Sequence, residues 1–204
     1  FTIIIKCLEK DPNKRFLSFK ELRANLEPIL KEMTGEVVKL PQKRDIDALE
    51  WNNKGVSLAN IGNYKGATAC YDKALEINPR YATAWSNKGN SLADLGKYHE
   101  AIACYDKALE INPKDESAWS NKGSSLADLG KYQEAIVCYD KALEINPRLD
   151  TAWNNKGNSL QNLGKYHETI ACYEKALEIN PRHTGGWNNK GLSLADLGKY
   201  HEAI

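Results

Sequence analysis

No sign of charge dominates this sequence: 28 Lys and Arg stand against 27 Asp and Glu, a formal net of +1. Charge this balanced supplies no overall field to draw in nucleic acid or an anionic membrane, so neither is expected as a partner. Long apolar runs are missing as well. A helix that crosses a bilayer needs about 20 consecutive apolar residues, and no run approaches that length. The opening Phe1-Thr2-Ile3-Ile4-Ile5 is too short for a signal peptide and has no basic leader, so a cytoplasmic location is the default expectation. Phe1 and Ile204, the latter in mid-pattern, both read as cut ends. Metal-ligand spacing is absent too. No Cys or His lies three or four residues from His99, His167 or His201, so zinc is not expected, and neither is any other cofactor.

What the sequence has instead is a period. Trp51, Trp85, Trp119, Trp153 and Trp187 are each 34 residues apart. The same beat carries Gly55, Gly89, Gly123, Gly157 and Gly191, then a second glycine from Gly62 to Gly198, and a tyrosine from Tyr64 to Tyr200. Pro79, Pro113, Pro147 and Pro181 close the units. A fixed period of this size is the mark of a repeat array. Starting each unit three residues before its Trp gives 48–81, 82–115, 116–149, 150–183 and a partial 184–204.

Each unit reads as two helices. Trp85, Gly89, Leu92 and Leu95 recur at helical spacing, and Gly96 can take the left-handed conformation that ends a helix. Tyr98, Ala101, Ile102, Tyr105, Ala108 and Leu109 mark a second amphipathic helix, which Asn112-Pro113 stops. Small residues at Gly89, Ala101 and Ala108 let the pair approach, while Trp85, Leu92, Tyr98 and Tyr105 fill the space between layers. One hairpin cannot bury both its apolar faces; stacked neighbours can, which makes a solenoid. Cys70, Cys104, Cys138 and Cys172 share one register and stand about a helix spacing of 8–10 Å apart, too far for disulfides, so they read as packing residues. The last unit stops four residues into its second helix, where an exposed apolar face is expected to fray and offers a route to self-association.

The order W-x2-K-G-x2-L-x3-G-x-Y-x2-A-x3-Y-x2-A-x4-P resembles the tetratricopeptide repeat over residues 48–204. The resemblance implies an all-α fold, a right-handed superhelical α-α solenoid of helix hairpins, and a protein-interaction module whose first helices line a concave groove. Departures are Lys54, Lys88, Lys122, Lys156 and Lys190, where apolar residues are more usual, Thr169 for alanine, Gly66 in a second helix, and Gly185-Gly186. The lysine stems are expected to cover apolar surface while the ammonium reaches water.

Residues 1–33 lack the period and 34–47 read as a linker. The phrase Cys7-Leu8-Glu9-Lys10-Asp11-Pro12-Asn13-Lys14-Arg15, followed by the capping box Ser18-Phe19-Lys20-Glu21, is similar to the end of a Ser/Thr protein kinase catalytic domain, where C-L-x2-D-P-x2-R joins the last two helices. It departs by reading Phe16-Leu17-Ser18 where Pro-Ser or Pro-Thr follows the arginine. No Gly-rich phosphate loop, V-A-I-K, H-R-D or D-F-G is present, so this chain is not expected to catalyse anything. The resemblance bears on a parent protein, a kinase with this array as its docking or regulatory arm.

The remaining series is asparagine. Asn53, Asn87, Asn121, Asn155 and Asn189 each follow the Trp by two, and Asn90 and Asn158 lie one turn on. Asparagine in a helix costs about 0.7 kcal/mol against alanine. A carboxamide both donates and accepts, so a row of them can match the peptide units of an extended chain. These seven residues are the candidate peptide-binding stripe; some tetratricopeptide proteins hold peptides by such a ladder. Hydrogen bonding between units is the competing use. Asp94, Asp128 and Asp196 tint the groove edge acidic and favour a ligand with basic residues. The basic clamp that other family members direct at a C-terminal carboxylate is not expected, since its positions read Asn52 or Ser86, and Thr83, Ser117 or Asn121. A purely structural, self-associating solenoid is the alternative.

Overall fold

Five glycines set the beat of the backbone. Gly62, Gly96, Gly130, Gly164 and Gly198 hold φ at +77°, +73°, +74°, +72° and +74°, the left-handed region that ends a helix and is costly for any residue with a Cβ. The computed structural model describes residues 47–182 and 184–198, together with Pro28. The chain divides into two units, Phe1–Ile46 and Asp47–Ile204. The kinase-like stretch belongs to the first and lies outside the described residues, apart from Pro28.

The described part of the second unit is helical throughout, without strands: α1 (Ala48–Asn60), α2 (Tyr64–Ile77), α3 (Ala82–Asp94), α4 (Tyr98–Ile111), α5 (Glu116–Asp128), α6 (Tyr132–Ile145), α7 (Asp150–Asn162), α8 (Tyr166–Ile179) and α9 (Thr184–Asp196). Side chains start three of them. Asp47, Asn63 and Asp115 accept from the backbone N–H of Glu50, Gly66 and Ala118 at 2.8, 3.0 and 3.0 Å, filling donors that a helix start leaves open. Gly66 therefore sits in the first turn of α2, where a Cβ would come within 2.8 Å of the Asn63 cap.

The loop from one repeat to the next is tied twice. Asn78, Asn112, Asn146 and Asn180 end the second helices, and their side-chain oxygens accept from the N–H two residues on, at 3.1–3.3 Å. The following Trp then donates its indole N–H to the Pro carbonyl of that loop, at 3.0 Å for Trp85, Trp119, Trp153 and Trp187.

Each hairpin packs α1 on α2, α3 on α4, α5 on α6 and α7 on α8, and each second helix then meets the next first helix. The core differs from the sequence expectation in its largest member. The tryptophans are half-buried, and Trp187 is 55% exposed, whereas Tyr71, Tyr105, Tyr139 and Tyr173 are at most 1% exposed. The reason is the glycine opposite. A Cβ on Gly55, Gly89, Gly123 or Gly157 would meet the ring of Tyr71, Tyr105, Tyr139 or Tyr173 at 2.4–2.7 Å, so each tyrosine lies flat across a bare helix backbone. Thr169 is fully buried and bonds back to the Lys165 carbonyl at 3.0 Å, which satisfies its hydroxyl where the other repeats have alanine.

The lysine after each ladder residue also departs from expectation. Lys88, Lys122, Lys156 and Lys190 do not simply extend into water. They reach back to Asp72, Asp106, Asp140 and Glu174 on the preceding second helix, at 2.6, 2.5, 2.5 and 2.8 Å, and pass within 5.4–5.9 Å of the neighbouring Trp ring. Partly exposed pairs of this kind contribute about 0.2–1 kcal/mol each, so their role is more in register than in stability.

Consecutive first helices also touch one another, α1 with α3, α3 with α5, α5 with α7 and α7 with α9, while among the described residues no two second helices pack comparably. The stack therefore closes on the first-helix side and opens on the other, which makes the first helices its inner face.

Gly123→Ala separates two effects of opposite sign. Alanine gains about 0.5–1 kcal/mol of helix propensity, but overpacking the Tyr139 ring costs typically 1–3 kcal/mol. A net loss of about 1–2 kcal/mol in a urea melt is the expected result; a stabilised protein would contradict the glycine–tyrosine contact.

Candidate functional site

A polar seam runs along the inner face where first helices meet. Asn121 on α5 donates its amide to Asn90 Oδ1 on α3 at 2.9 Å, Asn155 on α7 donates to Ser124 Oγ on α5 at 3.4 Å, and Asn189 on α9 donates to Asn158 Oδ1 on α7 at 3.0 Å. Asn87 has no such acceptor one turn on, because that position holds Val56. It turns to the buried Asn52 and donates to its Oδ1 at 3.1 Å.

The same acceptors receive the core tyrosines. Tyr105 donates its hydroxyl to Asn90 Oδ1 at 2.8 Å, Tyr173 to Asn158 Oδ1 at 2.8 Å, and Tyr139 to Ser124 Oγ at 3.3 Å. Asn90, Ser124 and Asn158 are thus hubs that join a second helix of their own repeat to the first helix of the next. Burial pushes the Tyr139 phenol up to about 12 and raises Tyr71, Tyr105 and Tyr173 in the same direction. It also pushes the Cys104 and Cys172 thiols up to about 11, so these cysteines are poor nucleophiles at neutral pH.

Between the helices the seam leaves two adjoining hollows. One, of about 290 Å³, is lined by Asn90, Ala93, Asp94, Tyr105, Asn121, Ser124, Ser125 and Asp128. The other, of about 400 Å³, has Ser124 and Asp128 on one side and Asn155, Asn158, Ser159 and Asn162 on the other. Among the described residues, no Lys, Arg or His lines either hollow. Asp94 and Asp128 are exposed and take part in no ion pair among the described residues.

The seven candidate residues therefore divide. Asn90, Asn121, Asn155 and Asn158 line the hollows. Asn87 and Asn189 are half-buried and bonded across the seam, and Asn53 is exposed at the start of the array. Each of Asn87, Asn121, Asn155 and Asn189 spends an amide hydrogen on the preceding repeat. The side-chain carbonyl oxygens of Asn87, Asn121 and Asn189 accept no hydrogen bond among the described residues. Sequence reasoning missed Ser124 and the tyrosines. Their signal was present: Ser124 shares the register of Asn90 and Asn158, and Tyr105, Tyr139 and Tyr173 follow these three by 15 residues. Among the described residues, no group of three or more His, Cys, Asp or Glu is placed to hold a metal ion, and no helix is long and apolar enough to cross a membrane.

Comparison with known proteins follows the same divisions. The tetratricopeptide repeat family matches residues 48–81, 82–115, 117–149 and 151–183, and a second tetratricopeptide repeat description matches 172–204. The chain belongs to the tetratricopeptide repeat family of protein-interaction modules. Among curated proteins, none matches it. Among solved structures it is similar to MamA, at 24% identity over 73% of this chain and 87% of that one with a TM-score of 0.69. It is also similar to YrrB, described as a tetratricopeptide protein with an unusual peptide-binding site, at 26% identity over 79% and 84% with a TM-score of 0.65. MamA of Desulfovibrio magneticus RS-1 matches at 19% identity over 76% and 88%, with a TM-score of 0.71.

Two outcomes follow. Asn121→Ala loses a hydrogen bond of about 0.5–1.5 kcal/mol but gains about 0.7 kcal/mol of helix propensity, so its stability in urea should stay within about 1 kcal/mol of the parent. A loss beyond 2 kcal/mol would mean the seam holds the array together. Alkali should unfold the array. A folded-state pKa above that of the unfolded chain gives stability that is complete below the unfolded pKa and is lost as pH rises through the folded one. The cysteines lose theirs between about 9 and about 11, and Tyr139 between 10.0 and about 12. Circular dichroism against pH should show helix loss beginning above pH 9; a flat profile to pH 12 would contradict the burial of these groups.

Proposed function

We propose that the inner face takes up an extended peptide, with the first helices α3, α5 and α7 as its floor. The observation that carries this reading is the pair of adjoining hollows whose polar walls are not used up by the fold. Their acceptors are Asn121 Oδ1 and the unpaired carboxylates of Asp94 and Asp128. An extended segment brings backbone N–H groups that match such acceptors. The asparagines thus act less as two-way amides than as oriented carbonyls, held by the seam and preorganised for a ligand. The likeness to YrrB, whose description includes a peptide-binding site, adds support.

The kinase-like residues 1–33 extend this reading: the array serves as the docking or regulatory arm of a Ser/Thr kinase. The residues encoded upstream of Phe1 test that part. H-R-D and D-F-G there support it, and their absence ends it.

The groove is tested with peptides selected on the immobilised chain from a random 12-residue library. Replacing Asn121 and Asn155 together with alanine should weaken the selected peptides about threefold or more, since it removes the open Asn121 acceptor and the Asn155 amide that lines the larger hollow. Unchanged affinity in isothermal titration would place binding elsewhere.

A further inference from the structure

We infer that the ligand is a cationic segment in the polyproline II conformation, with Lys or Arg at every third residue. This rests on the groove reading above and names the chemistry that fits it. Asp94 on α3 and Asp128 on α5 occupy the same register of consecutive first helices and line the same hollow. Both are exposed carboxylates without an ion-pair partner among the described residues. The contrast with the opposite side of the repeats is sharp, since there Asp72, Asp106, Asp140 and Glu174 are each taken by a lysine. With no cation among the described residues that line either hollow, the inner face is an acceptor surface with uncompensated negative charge. The complement of that surface is a donor carrying positive charge.

Spacing then selects the conformation. Packed helices stand about 8–10 Å apart, and equivalent carboxylates on touching first helices are taken to repeat at about that spacing. A polyproline II chain rises about 3.1 Å per residue with three residues per turn, so its side chains return to the same face every ~9.3 Å. A β-strand returns to the same face after about 6.6 Å or 13 Å, and neither matches. The polyproline II backbone also leaves its own polar groups unpaired, free for the Asn121 carbonyl. Tyr132, which is partly exposed, flanks the larger hollow and adds aromatic surface of the kind that such chains pack against, whereas Tyr105 and Tyr139 are buried.

The test uses the whole 204-residue chain and three 12-residue probes: four Pro-Pro-Lys triplets, the same residues with the lysines in one block, and four Pro-Pro-Glu triplets. Fluorescence anisotropy at low salt should show the triplet-lysine peptide binding at least fivefold tighter than the blocked one, with no binding of the glutamate peptide. Asp94→Asn with Asp128→Asn should weaken the triplet-lysine peptide by about five- to tenfold. Both sites are exposed, and a superimposable circular dichroism spectrum verifies the fold. Equal binding of the triplet and blocked peptides overturns the period of three, and indifference to the double substitution overturns the carboxylate contact. A library peptide without Lys or Arg that is weakened by Asn121→Ala with Asn155→Ala would overturn this inference while leaving the groove reading intact. Library peptides that ignore the asparagine pair would instead remove the groove reading itself.

Discussion

A tyrosine ring laid flat on a glycine is the contact from which the rest of the array is set. It brings the two helices of a hairpin closer than any side chain on the first helix would allow, and it fixes where the phenol oxygen ends up. That oxygen emerges at the inner face beside Asn90, Ser124 or Asn158, so one apolar contact also defines a polar position. The next repeat then docks its own asparagine on the acceptor that the phenol reaches, Asn90 Oδ1, Ser124 Oγ or Asn158 Oδ1. Packing inside a hairpin and registration between hairpins are in this way one device.

The two sides of each repeat interface solve different problems. On the second-helix side, charge is cancelled: lysine meets aspartate or glutamate, and the Trp ring lies close by. On the inner side, hydrogen bonds join neutral groups, and the carboxylates of Asp94 and Asp128 are left without cations. The weak energetics of exposed ion pairs and single amide bonds leave the bulk of stability to the buried alanines, leucines and tyrosines. The polar groups set register and present chemistry. This division explains how near-identical units can tolerate Val56 in place of a hub residue: the donor simply shifts to Asn52.

Much of this was legible in the sequence, and the failures have physical causes. The helices, their ends and the left-handed glycines followed from a fixed period and from residues with few conformational alternatives. The relative burial of Trp and Tyr did not, because both recur with the same period. Only the three-dimensional partner decides: Tyr139 has Gly123 beneath it, while Trp119 spends its indole N–H on a loop carbonyl and stays half-exposed. The lysines after the ladder residues were read as reaching water, since their acidic partners lie on another helix of a different repeat. The asparagine stripe was visible, but the direction of each amide was not. That direction depends on whether the facing residue is Asn, Ser or Val. The kinase-like motif of residues 1–33 lies outside the described residues, apart from Pro28.

The account is tested most directly by mapping a selected peptide onto the 15N-labelled chain by nuclear magnetic resonance. Side-chain amide signals of Asn121 and Asn155 and backbone signals around Asp94 and Asp128 are predicted to move together on titration, while those around Val137 and Lys141, which lie on the second helix α6 and line neither hollow, stay still. Shifts centred on Val137 and Lys141, with the asparagine amides unmoved, would contradict it.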